Sequence, residues 1–432
     1  MILIRNGHVL DPSQKRDEMA DVLIENGTIK AIGKPGEFNS LSVKETFDAA
    51  KMLICPGFID VHVHLREPGF EHKETVLTGS KAAIAGGFTS IAVMANTSPV
   101  NDQAIVTKYI LEKGREADLA RIFAIGAVTK GQKGEELAQI GMMAEAGIVA
   151  ISDDGMPVMN SALMRRAMEY ATMFNLPVIS HAEDLNLSQG APMTEGKVSS
   201  LLGYAGNPNA SEEIMVSREI ALARATGARV HIAHLSTREG VLLVKRAKEQ
   251  GLKVTAEVTP HHLMMNELSF LNGEQACVHH QTKTDYKMAP PLRSEKDQEA
   301  LIEALQSGVI DMIASDHAPH GCVDKEVEFE LAANGILGLQ TTVALMLGLV
   351  ADRKLSLQRM VEALTVKPAE LLGLKNLGTL KVGAMADIVV IDQNLPWQLH
   401  AEDLVSRSRN SPFLGRKFQG KVLKTMVGGV WK

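Results

Sequence analysis

Apolar and polar positions along this chain follow one pattern at its ends and another in its middle. Met1–Leu10 is rich in β-branched and aliphatic residues and stops at Asp11-Pro12. Asp21–Ile24 and Thr28–Ile32 flank Glu25-Asn26-Gly27, and Asn-Gly between apolar runs predicts a hairpin. Similar patterning returns late, where the turn Lys381-Val382-Gly383 precedes the apolar run Asp387–Ile391, and Lys421–Val427 meets Gly428-Gly429. Each segment is too small to bury a core by itself. The two are expected to pair into one small β-rich domain, residues 1–52 plus 375–432.

Residues 53–374 alternate short apolar runs with helix-period stretches. Eight runs stand out: Met52–Val61, Phe88–Met94, Arg121–Val128, Gly147–Ser152, Pro177–Ser180, Ala228–Ala233, Leu252–Val258 and Val309–Ala314. Amphipathic segments such as Lys73–Ala85, Ser161–Phe174 and Arg238–Glu249 lie between them. This alternation argues for parallel βαβ units, and eight of them argue for a closed (β/α)8 TIM barrel of the α/β class. An open doubly wound sheet is the competing arrangement. The stretch 267–292 has no clear period, and a long irregular loop in a compact barrel suits a lid over an active site.

Composition narrows the class. Of 432 residues, 45% are hydrophobic and 22% charged, which excludes disordered, collagen-like and disulfide-scaffold chains. A formal charge of −6 with no long like-charge run gives no nucleic-acid surface. No apolar stretch is long enough to span a membrane, and the N-terminus meets a charge at Arg5 without a cleavable signal pattern. Cys55, Cys277 and Cys322 are scattered and odd in number, as expected of reduced thiols in a cytoplasmic protein.

The strongest chemical feature is Asp60-Val61-His62-Val63-His64-Leu65-Arg66-Glu67-Pro68-Gly69. Histidines two apart on an extended strand project from one face, where neutral imidazoles suit a divalent metal. In a barrel, chemistry gathers at the C-terminal mouth, so the other candidates are Asp or His just past predicted strand ends. These are Asp154, His181, His234 and Asp316. Singly, each has an ordinary explanation: a turn at Asp153-Asp154-Gly155, an incidental histidine, a helix cap at Asp316. Together, their coincidence at one end of the barrel is hard to explain that way. His231 competes with His234, but alternation places the two on opposite faces, and His234 is preferred. The nitrogen and oxygen set His62, His64, Asp154, His181, His234 and Asp316 suits zinc and exceeds one tetrahedral ion, which favours two zincs sharing a carboxylate.

These residues resemble the amidohydrolase superfamily and, within it, the dihydroorotases of the longer bacterial type. The likeness also covers Pro56-Gly57-Phe58-Ile59-Asp60, Met94-Ala95-Asn96-Thr97, Ser152-Asp153-Asp154-Gly155, Thr259-Pro260-His261-His262 and Ala314-Ser315-Asp316-His317-Ala318-Pro319-His320. It implies zinc-dependent, reversible cyclisation of N-carbamoyl-aspartate to dihydroorotate in pyrimidine biosynthesis. By position, His62 and His64 would hold one zinc and His181 and His234 the other. Asp154 would bridge them, and Asp316 would bind metal and carry the proton. Many relatives bridge with a carboxylated lysine on the fourth strand; none lies in Gly147–Ile151, and with Asp154 bridging, the second ion would be the more weakly held. Arg66, Asn96, His320 and the backbone of Asn334-Gly335 would meet the substrate carboxylate. Relatives commonly carry Asn before Pro290-Pro291, where this chain has Ala289. The same likeness leaves two other functions to weigh: a hydantoinase or allantoinase on the same barrel, and a non-catalytic scaffold for aspartate transcarbamoylase. A homodimer, or an active enzyme associated with aspartate transcarbamoylase, would be the assemblies.

Overall fold

The computed structural model describes residues 1–271 and 283–432. The chain opens with β1 (Ile2–Asp11), β2 (Arg16–Glu25) and β3 (Thr28–Gly33), an antiparallel meander. Asn26 and Gly27 join β2 to β3 with φ of 51° and 77°, the left-handed pair that a tight hairpin requires. β4 (Glu45–Asp48) and β5 (Leu53–Pro56) then pair parallel with β1. The apolar run expected as one barrel strand from Met52 therefore divides. Its first part joins this outer sheet, and the chain crosses at Gly57, where a Cβ would fall 2.3 Å from the Thr89 side chain.

The second sheet begins with β6 (Phe58–Val63), β7 (Phe88–Val93), β8 (Arg121–Gly126), β9 (Ala150–Ile151) and β10 (Val178–Ser180). A two-stranded ribbon, β11 (Met193–Thr194) with β12 (Gly206–Asn207), interrupts it before β13 (Val230–Ile232), β14 (Val254–Val258) and β15 (Met312–Ile313) complete it. The eight strands pair in parallel in chain order from β6 to β15. Closure back onto β6 comes from a single parallel bridge, Val63 to His317, with the His64 N–H donating to the His317 carbonyl at 2.9 Å. Buried Asp60 reinforces the seam, accepting from the Ser315 N–H at 3.1 Å. The sheet is thus a nearly closed TIM barrel.

Helices such as Val76–Ala85, Ala104–Ala117, Ser161–Thr172 and Arg238–Glu249 connect the strands, close to the predicted segments. Their buried faces share one core with the outward strand residues Val63, Ile91, Val93, Ala124 and Ile232. Ala92, Ile125, Ala150, Ile179, Ala233 and Met312, from the opposite strand faces, form a separate buried cluster. Parallel strands covered on both sides need this near-continuous apolar sequence.

After the barrel, β16 (Ile388–Gln398), β17 (Lys417–Val427) and β18 (Val430–Trp431) return to the outer sheet. β16 pairs antiparallel with β5, so both termini share one sheet around Ile4, Val22, Ile54, Ile388 and Val390. No helix among the described residues is long and apolar enough to cross a membrane. Part of the expected lid at 267–292, with His279, His280 and Cys277, lies outside the described residues; its flanks form short 3-10 turns at Glu267–Phe270 and Lys283–Tyr286.

Candidate metal centre

Because the strands run parallel, every strand end opens on one mouth, and the six expected ligands converge there. All are buried, the most accessible being Asp316 at 6%. Asp154 stands at the middle. Its Oδ1 lies 3.4 Å from His62 Nε2, His181 Nδ1 and His234 Nε2, and its Oδ2 lies 3.4 Å from His64 Nε2. Two triads therefore share one carboxylate: His62, His64 and Asp154, and Asp154, His181 and His234. Asp316 stands on the first side, 3.1 Å from His64 Nε2 and 3.5 Å from His62 Nε2. Asp153, which precedes Asp154, turns instead to the end of β8, accepting from the Val128 N–H at 2.8 Å.

The far nitrogen of three of these imidazoles faces an acceptor. His62 Nδ1 lies 2.6 Å from Glu257 Oε1, His64 Nδ1 2.9 Å from Asn96 Oδ1, and His181 Nε2 3.0 Å from Glu183 Oε2. A proton donated there leaves the other nitrogen bare and aimed at Asp154, the arrangement that metal-binding histidines adopt. Among the described residues, His62 Nε2 and Asp154 Oδ1 find no hydrogen-bond partner though both are buried, which is costly unless something positive lies between them. His181 Nδ1 and His234 Nε2 sit only 2.9 Å apart, a separation that a shared cation or proton reconciles.

Charge points the same way. Burial alone would push the Asp154 and Asp316 carboxyls up, yet the surrounding histidines, His62 foremost, hold both well below the usual carboxylate range. Burial would likewise depress His181, but Asp154 and Glu183 outweigh it and raise its pKa to about 10. The pocket draws positive charge, and its donors fit a divalent metal.

A cavity of about 200 Å³ opens above these ligands, lined by every expected site residue except the fully buried His62. The Amidohydrolase family matches residues 53–432, nearly nine-tenths of the chain. The chain belongs to the amidohydrolase family. It is 50% identical over 430 residues to the "Dihydroorotase" of Solibacter usitatus (strain Ellin6076), covering 99% of this chain and 97% of that one. It is 46% identical over 428 residues to that of Geotalea daltonii, covering 99% and 98%. Among solved structures it resembles the L-hydantoinase (dihydropyrimidinase) from Arthrobacter aurescens, with TM-score 0.86 and 27% identity over 100% of this chain and 95% of that one. The dihydropyrimidinase from Brevibacillus agri NCHU1002, at 23% identity and TM-score 0.84 over 99% and 94%, shares the fold.

This amidohydrolase keeps a different chemistry on the cavity's other wall. Half-buried Arg66 donates through Nε to the Pro319 carbonyl at 3.2 Å, and its Nη2 lies 3.2 Å from His320 Nε2. Burial lowers the Arg66 pKa to about 10, leaving the guanidinium charged at neutral pH. His320 Nε2 also lies 2.9 Å from the Asn334 carbonyl. Gly335 borders the cavity, but its N–H already donates to the Lys287 carbonyl at 3.0 Å. With its oxygen facing His64, Asn96 offers a ligand its NH2 group. Ala289 also lines the cavity and brings only a methyl.

One sequence-based expectation is overturned. His231 does not turn away from the site: its Nε2 lies 3.0 Å from Glu257 Oε2, on the same carboxylate that faces His62. Position 231 shares the inward face of Ala233. His234 reaches the mouth another way, because the strand ends at Ile232 and His234 adopts φ of 31°. Asp316 and Arg66 have φ of 46° and 65°. Such non-glycine positive-φ residues are uncommon and tend to gather at functional sites.

Glu257, Glu183 and Asp60 had no expected role. A carboxylate inside a strand that is apolar on both sides, as in Val254-Thr255-Ala256-Glu257-Val258, is the available signal: it must have a partner to be buried. His261 and His262 are buried beside the mouth, and burial lowers the His261 pKa to about 4. His262 is held between Thr259 Oγ1 and the Pro290 carbonyl, and His317 faces Glu74 instead of the ligands.

Proposed function

We propose that this amidohydrolase is a dihydroorotase, interconverting N-carbamoyl-L-aspartate and dihydroorotate in pyrimidine biosynthesis. The observation that carries the reading is the cavity's two-sided chemistry. A buried histidine–aspartate cluster faces a guanidinium across about 200 Å³, room for a small ring that bears a carboxylate. Close, full-length relatives named dihydroorotase support the same reading.

In this reading His62 and His64 would hold one zinc and His181 and His234 a second, with the Asp154 carboxylate available to both. Bound there, the metals would polarise the ring carbonyl and make water nucleophilic near neutral pH. The chain's own groups do the rest. Arg66, Asn96 and the His320–Asn334 wall orient the substrate through its carboxylate, with Arg66 able to meet it bidentately. Asp316, kept ionised by His62 and His64, accepts the proton of the attacking water and returns it to the departing ring nitrogen as the carbon–nitrogen bond breaks. In the biosynthetic direction, the ureido nitrogen attacks the side-chain carboxyl and water leaves. Ring closure gains from holding both ends of one molecule together.

A hydantoinase reading rests on the fold shared with the Arthrobacter enzyme at 27% identity. The charged Arg66 wall favours an acidic substrate. The purified, metal-loaded enzyme should hydrolyse dihydroorotate and leave hydantoin and allantoin untouched in a spectrophotometric assay. Preferential turnover of either neutral ring would overturn the proposal. Metal analysis of protein purified without chelator should find zinc, two ions per chain when saturated.

A further inference from the structure

The segment between β16 and β17 belongs, by sequence position, to the outer sheet, yet part of it reaches across to the barrel mouth. Ser406 Oγ and the Arg407 N–H both donate to buried Glu74, the latter at 3.1 Å, and Ser408 Oγ donates to the Lys73 carbonyl at 2.7 Å. Two residues on, Asn410 is 5% exposed and makes three side-chain hydrogen bonds, each to a residue at least 75 positions away. Its Oδ1 accepts from the His320 N–H at 3.0 Å. Its Nδ2 donates to the Ala318 carbonyl at 3.0 Å and to the Gly335 carbonyl at 3.1 Å. Its own carbonyl accepts from the Leu337 N–H at 2.9 Å. One buried amide thus joins the loop after β15, which carries His320, to the loop that carries Asn334 and Gly335. Both loops line the proposed substrate cavity, whereas Asn410 faces an adjoining cavity of about 310 Å³.

We infer that Asn410 is a positioning residue for the substrate carboxylate. It fixes His320 and the 334–335 loop against Arg66 and acts on substrate only through them. The inference rests on the dihydroorotase reading, in which that wall receives the carboxylate. An asparagine amide suits the task because two carbonyls and one N–H must be satisfied at once, and no other side chain of this size offers two donors and an acceptor. Buried groups stripped of such partners shift to recover them, and the loops would move with them.

The test uses steady-state kinetics on the full-length, metal-loaded enzyme. Wild-type hydrolysis of dihydroorotate comes first; its absence would sink the dihydroorotase reading and this inference with it. Given that activity, Asn410→Ala should raise KM for dihydroorotate roughly tenfold, with a much smaller change in kcat and with metal content retained. Asn410→Asp keeps the acceptor and the volume but loses both donors. It should also raise KM, and it carries the test if the alanine variant does not fold. In the double variant Asn410→Ala/His320→Ala the two effects on KM should fall clearly short of multiplying, because Asn410 acts in part through His320 and in part through the 334–335 loop. A purely structural role would lower thermal stability without moving KM. Unchanged KM in a folded Asn410 variant, or effects that multiply in the double variant, would overturn the inference.

Discussion

The two walls of the cavity are built differently. On the metal side, the proposed ligands stand at or near strand ends, are at most 6% exposed, and face buried or half-buried acceptors: Glu257 of β14 behind His62, Asn96 past the end of β7 behind His64, and Glu183 two residues on behind His181. On the carboxylate side, Arg66, His320, Asn334 and Ala289 come from loops, and a residue from the C-terminal part of the chain ties two of those loops together. Rigid elements hold a reacting geometry better than loops do, and loops vary more easily. The difference teaches where change is costly: in the proposed function the first wall sets the reaction, and the second sets which ring is accepted.

The sharpest way to break this division is at Asp316, the metal-side residue assigned to the proton. Asp316→Asn keeps the shape and an oxygen but cannot accept a proton. Turnover should fall at least ~10²-fold, the lower end of what one acid–base group contributes, while KM changes little. The zinc bound through the four histidines should largely remain when measured on the variant. Near-normal turnover with the metal in place would move the proton to another group, His320 being next.

Glu257 probes the same wall from beneath. One carboxylate faces His62 Nδ1 and His231 Nε2 and accepts from the backbone N–H of His234, whose φ is 31°. Removing it frees the His62 tautomer and the strained His234 backbone together. Glu257→Ala should weaken zinc binding about 10- to 100-fold in competition with a chromophoric chelator, the usual cost of losing a histidine's supporting partner. Glu257→Gln keeps an acceptor for His62 and should lose less. Unchanged zinc affinity in the alanine variant would show that the barrel holds His62 without it.

The contrast also explains what could be read from sequence. The metal side was legible because its signals are local: an apolar run names a strand, and a histidine or aspartate just past it is aimed at the mouth. His62 and His64 stand out by their spacing of two on the first strand, and Asp154, His181, His234 and Asp316 follow that rule. It failed at His231, since alternation holds only while a strand lasts and this one ends at Ile232. It failed also at the split of the first apolar run, because Leu53–Pro56 and Phe58–Val63 are equally apolar and only the tertiary path at Gly57 separates them. Asn410 left no local trace. Its partners are set by how an aperiodic segment crosses the mouth, which neither periodicity nor motif encodes.

Arg66 tests the carboxylate wall directly. A charge-assisted contact to a carboxylate contributes roughly 1.5–3 kcal/mol, about a 10- to 100-fold change in binding. Arg66→Met keeps much of the apolar stem but loses the guanidinium. KM for dihydroorotate should rise by about that factor, with zinc content unchanged by metal analysis. Unaltered kinetics would place the carboxylate elsewhere in the cavity.

The smallest effect is expected at Ala289, where the family resemblance implies an Asn and this chain places a methyl that lines the cavity. Two influences oppose each other there. An amide could donate to the substrate, and one net hydrogen bond is worth about 1 kcal/mol, roughly a fivefold change in binding. The larger side chain would also take space from a cavity of only about 200 Å³. Arg66 and the Asn96 amide already supply donors on this wall, so the added bond should be partly redundant. Ala289→Asn should therefore lower KM for dihydroorotate no more than a few-fold, leaving kcat and zinc content as they are. A tenfold or larger fall would mean that the carboxylate wall of this chain is short of a donor. A rise in KM would mean that volume, not hydrogen bonding, limits what this side of the cavity accepts.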